Sequence, residues 1–371
     1  MELKHLHIVA FDVPYPANYG GVIDVFYKIK SLHKFGVQIQ LHLFQYGDRL
    51  PQQELEKYCV QVTYYKRKAF DVRFWLPYIV STRSAPELLA NLLKDDAPIL
   101  FEAIHSSFYM SHPALQSRFK MLRMHNIEHD YYKLLAKQES GLFKKIYYQT
   151  EAFLLGLYQQ KLHHAQAIFA ISSNDLQKLA PEFGKKVHLL PAFHANDSIK
   201  SKTGQSDFCF YHGKLSVAEN HHAALFLVNE VFSKIQTKFI IAGSGAHLDL
   251  KNAVQKYPTI TLLENIDQEQ INQLVANAQI NVMPTFQPTG IKLKLINVLY
   301  LGRHVLVNNE MVQATGLEAL TLIANTAEEM QASIAQLMEI PFSNEEIENR
   351  KAVLNSYFDT DVNVQQLIQF L

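Results

Sequence analysis

The chain of 371 residues carries 35 basic and 35 acidic side chains, and 48% of it is hydrophobic. That length allows two domains with separate cores. The balanced charge gives no global electrostatic argument for nucleic acid, and no nucleic-acid partner is expected. Two cysteines, Cys59 and Cys209, exclude a disulfide framework and a cysteine zinc site; a reducing compartment is expected. No apolar run approaches the ~18–20 residues that span a bilayer.

The N-terminal MELKHLHIVAFD has no basic region and reaches Asp12 soon after its apolar run. It reads as a first strand rather than a leader peptide, and a cytoplasmic protein is expected. Strand-length apolar runs then recur at Leu6–Phe11, Gln38–Phe44, Gln61–Tyr64, Ile99–Ala103, Met121–Arg123 and Ala167–Ile171. Helical patterns near Val22–Phe35, Pro86–Leu93, Asp130–Gln138 and Leu142–His164 lie between them. The second half alternates more cleanly. Its strands are expected at Phe208–Tyr211, Phe239–Ala242, Ile260–Leu263, Ile280–Met283, Val305–Val307 and Leu320–Ile323. Its helices are expected at Ala218–Ser233, Ala246–Lys256, Gln268–Asn277, Ile291–Leu301 and Ala327–Leu337. Such alternation implies right-handed crossovers and parallel sheets. The polar stretch Leu190–Gln205 carries linker signals, and Asn344–Leu371 closes the chain with two helices. The expectation is an α/β protein of two doubly wound halves, with ligands at the carboxyl ends of the strands and in a cleft between the halves.

Several segments then invite a chemical reading. In YPANYGGV, Gly20 and Gly21 follow the first strand and open a helix, where backbone can approach a ligand closely; a tight turn without ligand explains them equally well. There is no GxGxxG fingerprint, which argues against NAD. In AGSG, Gly243 and Gly245 offer the same two readings. His125 follows the strand Met121–Arg123 in RMHNIEHDYY, where imidazole can bond a substrate hydroxyl. The chain has 17 histidines, so only its position at a strand end raises His125 above a packing role; Glu128 nearby reads as a helix cap. Tyr64–Arg83 and Leu142–Tyr158 mix basic and aromatic residues, which fits either a solvated surface or an anionic membrane face. Asp359-Thr360-Asp361 has metal-diphosphate spacing, but it precedes a short helix and reads as a cap. The most informative stretch is PTFQPTGIKLKLINVLYLG. A helix expected from Ile291 carries Lys292 and Lys294 in its first turn, an end that normally repels cations. An anion held by both the helix end and the lysines, phosphate above all, accounts for the pattern.

In order and spacing, YPANYGG, RMHNIE, AIFAISSND, FYHGKLSVAEN, FIIAGSG and TGIKLKLINVLYLGRHVLVN resemble the GT-B glycosyltransferases. Within these, the likeness is to the large retaining family that includes bacterial mannosyl- and glucosyltransferases of polysaccharide synthesis. It runs nearly end to end. It implies an N-terminal Rossmann-like domain over residues 1–192, a nucleotide-sugar domain over 193–344, and a helix returning to the first domain at about 345–371. The implied donor is a UDP- or GDP-sugar and the implied acceptor a glycan or lipid-linked glycan, without metal or other cofactor. By the same resemblance His125 contacts the transferred sugar, and Gly20 and Gly21 lie beside donor and acceptor. Lys214 neutralises the diphosphate, while Gly290, Ile291 and Lys292 form the phosphate-holding helix entry, with Gly243 and Lys294 close by. The sequence departs from the family where two glutamates are usual: Thr289 and Asn297 stand there, and Asn297 would bond the ribose as a neutral amide. A second family lysine falls on Glu219 or Asn220. These departures motivate an alternative, a relative that binds nucleotide or a partner without catalysing transfer.

Overall fold

A computed structural model describes residues 3–71, 73–287 and 292–371. The chain divides into two compact units, one reaching from the N-terminus to Ala195 and adding Phe358–Leu371, the other running from Asn196 to Tyr357.

The first unit is built on seven parallel strands: β1 (His5–Ala10), β2 (Gln38–Gln45), β3 (Gln61–Lys66), β4 (Ile99–Glu102), β5 (Lys120–Arg123), β6 (Ala167–Ala170) and β7 (Val187–Leu189), in the order β3-β2-β1-β4-β5-β6-β7. β1 and β4 are buried along nearly their whole length, as strands covered on both faces must be. Helices α1 (Gly20–Lys34), α2 (Tyr78–Ser81), α3 (Pro86–Leu92), α4 (Glu128–Gln138), α5 (Leu142–Tyr158) and α6 (Ser173–Phe183) complete the crossovers. Leu6, Ile8, Leu41, Leu43 and Leu100 are wholly buried with Ile29 and Leu32 of α1, each contributing ~1.5–3 kcal/mol relative to exposure.

The second unit repeats the plan with six parallel strands: β8 (Phe208–His212), β9 (Lys238–Gly243), β10 (Ile260–Glu264), β11 (Ile280–Val282), β12 (His304–Val307) and β13 (Leu322–Ile323), in the order β10-β9-β8-β11-β12-β13. Its helices are α7 (Ala218–Phe226), α8 (Leu248–Val254), α9 (Gln268–Asn277), α10 (Leu293–Leu301), α11 (Asn309–Val312), α12 (Ala327–Met338) and α13 (Asn344–Tyr357). α9 carries a reciprocal capping box between Asp267 and Gln270, the signal that fixes its start.

Three boundaries differ from expectation. Only the start of the stretch read as a linker is packed into the first unit, which ends at Ala195: Leu190, Ala192 and Phe193 are buried, and Arg123 donates to the carbonyls of Leu190 and Pro191. The returning segment starts at Phe358 rather than near residue 345. α13 stays with the second unit because buried Arg350 donates to the carbonyls of Leu299 at 3.0 Å, Gly302 and Arg303. Only the last helix, α14 (Thr360–Ile368), joins the first unit, where Val364 and Leu367 are fully buried. Asp359 caps it by accepting from the backbone N–H groups of Asp361 and Val362 at 2.8 and 3.1 Å, so the DTD pattern has the capping role expected of it. The third boundary concerns α10, which begins at Leu293 rather than Ile291. Among the described residues no helix is long and apolar enough to cross a membrane.

Candidate functional site

In each sheet the strand order reverses once, between β1 and β4 and between β8 and β11. Crevices open at the carboxyl ends of strands at such reversals, and polar side chains collect at both.

In the first unit the chain leaves β1 at Phe11 and Asp12. Asp12 accepts from Val13 N–H at 2.8 Å and from the Tyr19 hydroxyl at 2.5 Å. Arg49 ties the loop from the other side, donating to Val13 O at 2.8 Å, Asn18 Oδ1 at 2.9 Å and Pro16 O at 2.6 Å. The loop is thus fixed before α1 starts at Gly20. A Cβ on Gly21 would lie 2.7 Å from Phe11 Cζ, so a side chain at this position would have to displace the Phe11 ring.

Below this loop lies a buried ionic cluster. Lys28 bridges Asp24 at 2.9 Å and Glu102 at 2.8 Å. Arg123 holds Asp24 with two hydrogen bonds, at 3.1 and 3.0 Å, and Phe193 N–H adds a third. Burial alone would raise both carboxyls, but Arg123 and Lys28 hold Asp24 well below the usual range, and Lys28 and His125 lower Glu102. Both are carboxylates at neutral pH. His125 Nε2 lies 2.9 Å from Glu102 Oε2, and a carboxylate there places the imidazole proton on Nε2. In the neutral ring Nδ1 is then an acceptor. It is buried and has no hydrogen-bond partner among the described residues. The Phe11 ring packs edge-on to His125 with centroids 5.4 Å apart. Asp24, Glu102 and His125 offer ligand atoms within 4.8 Å of one another, but the Lys28 ammonium already stands between the two carboxylates. Directly after Glu102, Ala103 has φ 59° and ψ 161°, a conformation costing roughly 1–3 kcal/mol for a residue with a Cβ.

Glu128, at the first position of α4, is buried beside His105, whose Nδ1 is 3.9 Å away. Burial pushes its carboxyl up to about 7, against the opposing effects of Asn126 and Arg83. Burial, reinforced by Arg83, keeps His105 neutral. Next to these groups an open pocket of about 730 Å³ is lined by Asp12, Tyr19, Arg67, Tyr78, Arg83 and Tyr132, among others. Arg67 is stacked between Tyr46 and Tyr78, 4.7 and 5.1 Å from the ring centroids.

In the second unit, the loops leaving β8 and β9 are zipped together. Gly213 N–H donates to Ala242 O at 3.0 Å and Leu215 N–H to Ser244 O at 2.8 Å. A Cβ on Gly243 would fall 1.9 Å from Gly213 O, so Gly243 is required by backbone contact. Lys294, in the first turn of α10, donates to Asn220 Oδ1 at 2.7 Å, approaches His212 O at 3.5 Å, and lies 5.4 Å from the Tyr211 ring centroid. Burial pushes its ammonium down to about 8, with Glu219 opposing and Lys292 reinforcing. Burial likewise lowers Lys292, again opposed by Glu219; its Nζ donates to Gln287 O at 2.9 Å. Glu219, at the start of α7, accepts from the Thr285 hydroxyl. His212 ends β8 with a buried Nε2 that has no hydrogen-bond partner among the described residues, and burial lowers it to about 3.

The structure therefore gathers His125 and the Gly20–Gly21 loop around Phe11, and Lys292, Lys294 and Glu219 around the start of α10. Lys214 is exposed on the β8–α7 loop. Asn297 is turned elsewhere: its Nδ2 donates to Asn272 Oδ1 at 3.3 Å and its Oδ1 accepts from Asn196 at 3.2 Å. Thr289, Gly290 and Ile291 lie outside the described residues. Asp24, Lys28, Glu102, Arg123 and Arg49 were not picked out from sequence. Asp24 and Lys28 did leave a signal, as charges spaced four apart on the same helix face as Val25, Ile29 and Leu32.

No family model matches the chain. A relative named "Uncharacterized 44.6 kDa protein in cps region", from Klebsiella pneumoniae, is 27% identical over 312 residues, covering 79% of each chain. In three dimensions the chain is similar to Anabaena HepE, solved in complex with UDP and glucose, with TM-score 0.66 and 12% identity over 99% of both chains. It is similar to a variant of S. aureus TarM in complex with Fondaparinux, alpha-GlcNAc-glycerol and UDP, with TM-score 0.64 and 10% identity over 100% of this chain and 99% of that one. It is also similar to the UDP-forming alpha,alpha-trehalose-phosphate synthase of Burkholderia vietnamiensis, with TM-score 0.65 and 10% identity over 99% of both. The fold is the GT-B fold of these proteins.

Proposed function

We propose that the chain is a glycosyltransferase that moves a sugar, with retention and without a metal, from a UDP- or GDP-sugar to a glycan or lipid-linked glycan in polysaccharide synthesis. The observation that carries this reading is the start of α10, where Lys292 and Lys294 gather at the carboxyl end of the β8–β11 reversal. A diphosphate there meets a helix N-terminus and two ammonium groups, which stabilise it as leaving group. UDP in the HepE and TarM complexes, and the cps-region name of the relative, support the donor class and the pathway class. His125, with Nε2 committed to Glu102, offers Nδ1 as acceptor to a sugar hydroxyl. Gly20 and Gly21 keep the loop beside it free of side chains, and Lys214 and Gly243 border the donor. The protein works in the cytoplasm, peripheral to the inner face of the membrane.

One observation favours the alternative of binding without transfer. The Asn297 amide is engaged by Asn272 and Asn196, so it does not stand free for a ribose. Calorimetry with UDP and GDP, together with hydrolysis and transfer assays over a panel of UDP- and GDP-sugars, separates the two. Binding with turnover of one donor is expected, and Lys292→Ala is expected to weaken nucleotide binding by about 1–3 kcal/mol. Binding without turnover of any donor supports the alternative, and an absence of nucleotide binding removes the transferase reading and leaves only the partner-binding form of the alternative.

A further inference from the structure

α5 is apolar on two sides. Ala152, Leu155 and Tyr158 face the core. Leu142, Ile146, Phe153 and Leu157 fall within about 60° of one another on the opposite side, at 3.6 residues per turn. They are 68%, 51%, 66% and 58% exposed, and Phe143 beside them is 89% exposed. A second apolar stripe turned away from the core has no role in folding the unit, and marks a surface that meets something else.

A loop next to α5 presents a matching set. Phe70, Phe74 and Trp75 are 99%, 85% and 74% exposed. The loop that carries them is well anchored. Asp71 accepts from Arg73 at 2.9 and 3.0 Å and from the Ser84 hydroxyl, Lys68 donates to Ser84 O at 3.0 Å, and the Tyr78 hydroxyl donates to Ala69 O at 3.0 Å. These bonds anchor the described residues on either side of the outward-facing aromatic rings. Loop and helix are joined where buried Glu151 of α5 accepts from Tyr78 N–H at 2.9 Å, and Tyr78 and Tyr147 line the same pocket.

The charges of these two segments are predominantly positive, even with Arg73 set against its partner Asp71. Lys66, Arg67, Lys68, Arg73, Lys144 and Lys145 stand against Asp71, which is spent on Arg73 and Ser84, and against Glu151, which is buried. Aromatic and aliphatic side chains ringed by cations fit the boundary between acyl chains and anionic headgroups. We infer that loop residues 69–71 and 73–77 and the outer face of α5 form a docking surface for an anionic lipid bilayer. This deepens the peripheral location proposed above and depends on no step of the transfer chemistry. It also places the pocket of Arg67, Tyr78 and Tyr147 at the bilayer surface, where a lipid-borne acceptor would present its head.

Trp75 is the chain's one tryptophan, so its emission reports on this surface alone. The full-length protein is mixed with vesicles of phosphatidylcholine, with and without phosphatidylglycerol. With phosphatidylglycerol, co-sedimentation, a blue-shifted emission and quenching by bromine-labelled acyl chains are expected, all weakening with salt. The pair Phe143→Glu and Ile146→Glu is expected to lower partitioning roughly ten-fold or more while vesicle-free UDP binding stays unchanged. No blue shift, partitioning indifferent to phosphatidylglycerol, or partitioning unaffected by the two substitutions overturns the inference. So does sedimentation equilibrium showing a stable dimer in which Trp75 is already shielded without lipid. Absence of both UDP and GDP binding in the parent protein would instead count against the glycosyltransferase reading and leave this one standing.

Discussion

Lys294 is an ammonium held where charge is costly, and that makes its protonation a reporter of what binds beside it. With its pKa pushed down to about 8 by burial, a fraction of the side chain is neutral at mildly alkaline pH. A diphosphate nearby favours the charged form and raises the pKa again. Nucleotide binding at about pH 8 is therefore expected to take up protons, and affinity to fall as pH rises further. Calorimetry in buffers of different ionisation enthalpy measures the uptake; its persistence in Lys294→Ala would assign it to another group. Glu128 is linked to folding with the same sign. Its raised carboxyl keeps a proton in the folded state that the unfolded chain has lost, so its contribution to stability is present below its ordinary value of 4.5 and lost as pH rises through about 7. Glu128→Gln, neutral at every pH, is expected to change stability little near about pH 5 and to stabilise by about 1–3 kcal/mol near about pH 8. Thermal melts at both pH values check this, and an advantage that does not grow with pH would refute it.

The close approach of the loops after β8 and β9 is an element-scale constraint with a sharp consequence. Gly243→Ala would set a methyl 1.9 Å from the Gly213 carbonyl oxygen and 2.9 Å from Leu215 Cγ, and the carbonyl is backbone that cannot swing aside as a side chain can. A loss of roughly 1–3 kcal/mol or more is expected, read as a fall in melting temperature accompanied by weaker nucleotide binding. At this scale the sequence was largely legible, because buried parallel strands are short apolar runs: β8 to β12 lie within one or two residues of their expected places. β7 was missed since Val187–Leu189 is only half-buried and carries His188. α6 was missed because Ser172 and Asp175, its cap and first turn, resemble a loop, and Pro181 lies inside it. The candidate site was legible where chemistry stands at a strand end, as with His125 and the lysines of α10. It was hidden where partners come from distant strands: nothing local couples Lys28 to Glu102, or Asn297 to Asn272.

At the scale of the whole molecule, two sheets of one plan are each closed by their own core, yet the first unit is discontinuous in sequence. α14 returns to it with Val364 and Leu367 fully buried among Phe26-side helix residues and strands of that unit. Lys4 donates to Ile368 O and Leu371 O at 2.8 and 3.0 Å, and Lys34 pairs with Asp361 at 2.5 Å. That exposed pair adds little; the apolar contacts decide. Leu367→Ala is expected to cost about 2–5 kcal/mol, and chemical denaturation should locate the loss in the first unit. Hydrogen exchange that loosened the β8–β13 sheet instead would contradict the assignment. The same return has a consequence for synthesis. A ribosome releases this chain in order, and the first unit cannot seal its apolar interior until residues 358–371 emerge. By then the entire second unit has been made and can already have folded. The β1–β7 layer is thus completed only after the second unit has been made, and the nascent sheet has to wait, with the α14 seat uncovered, for residues 360–368 to arrive.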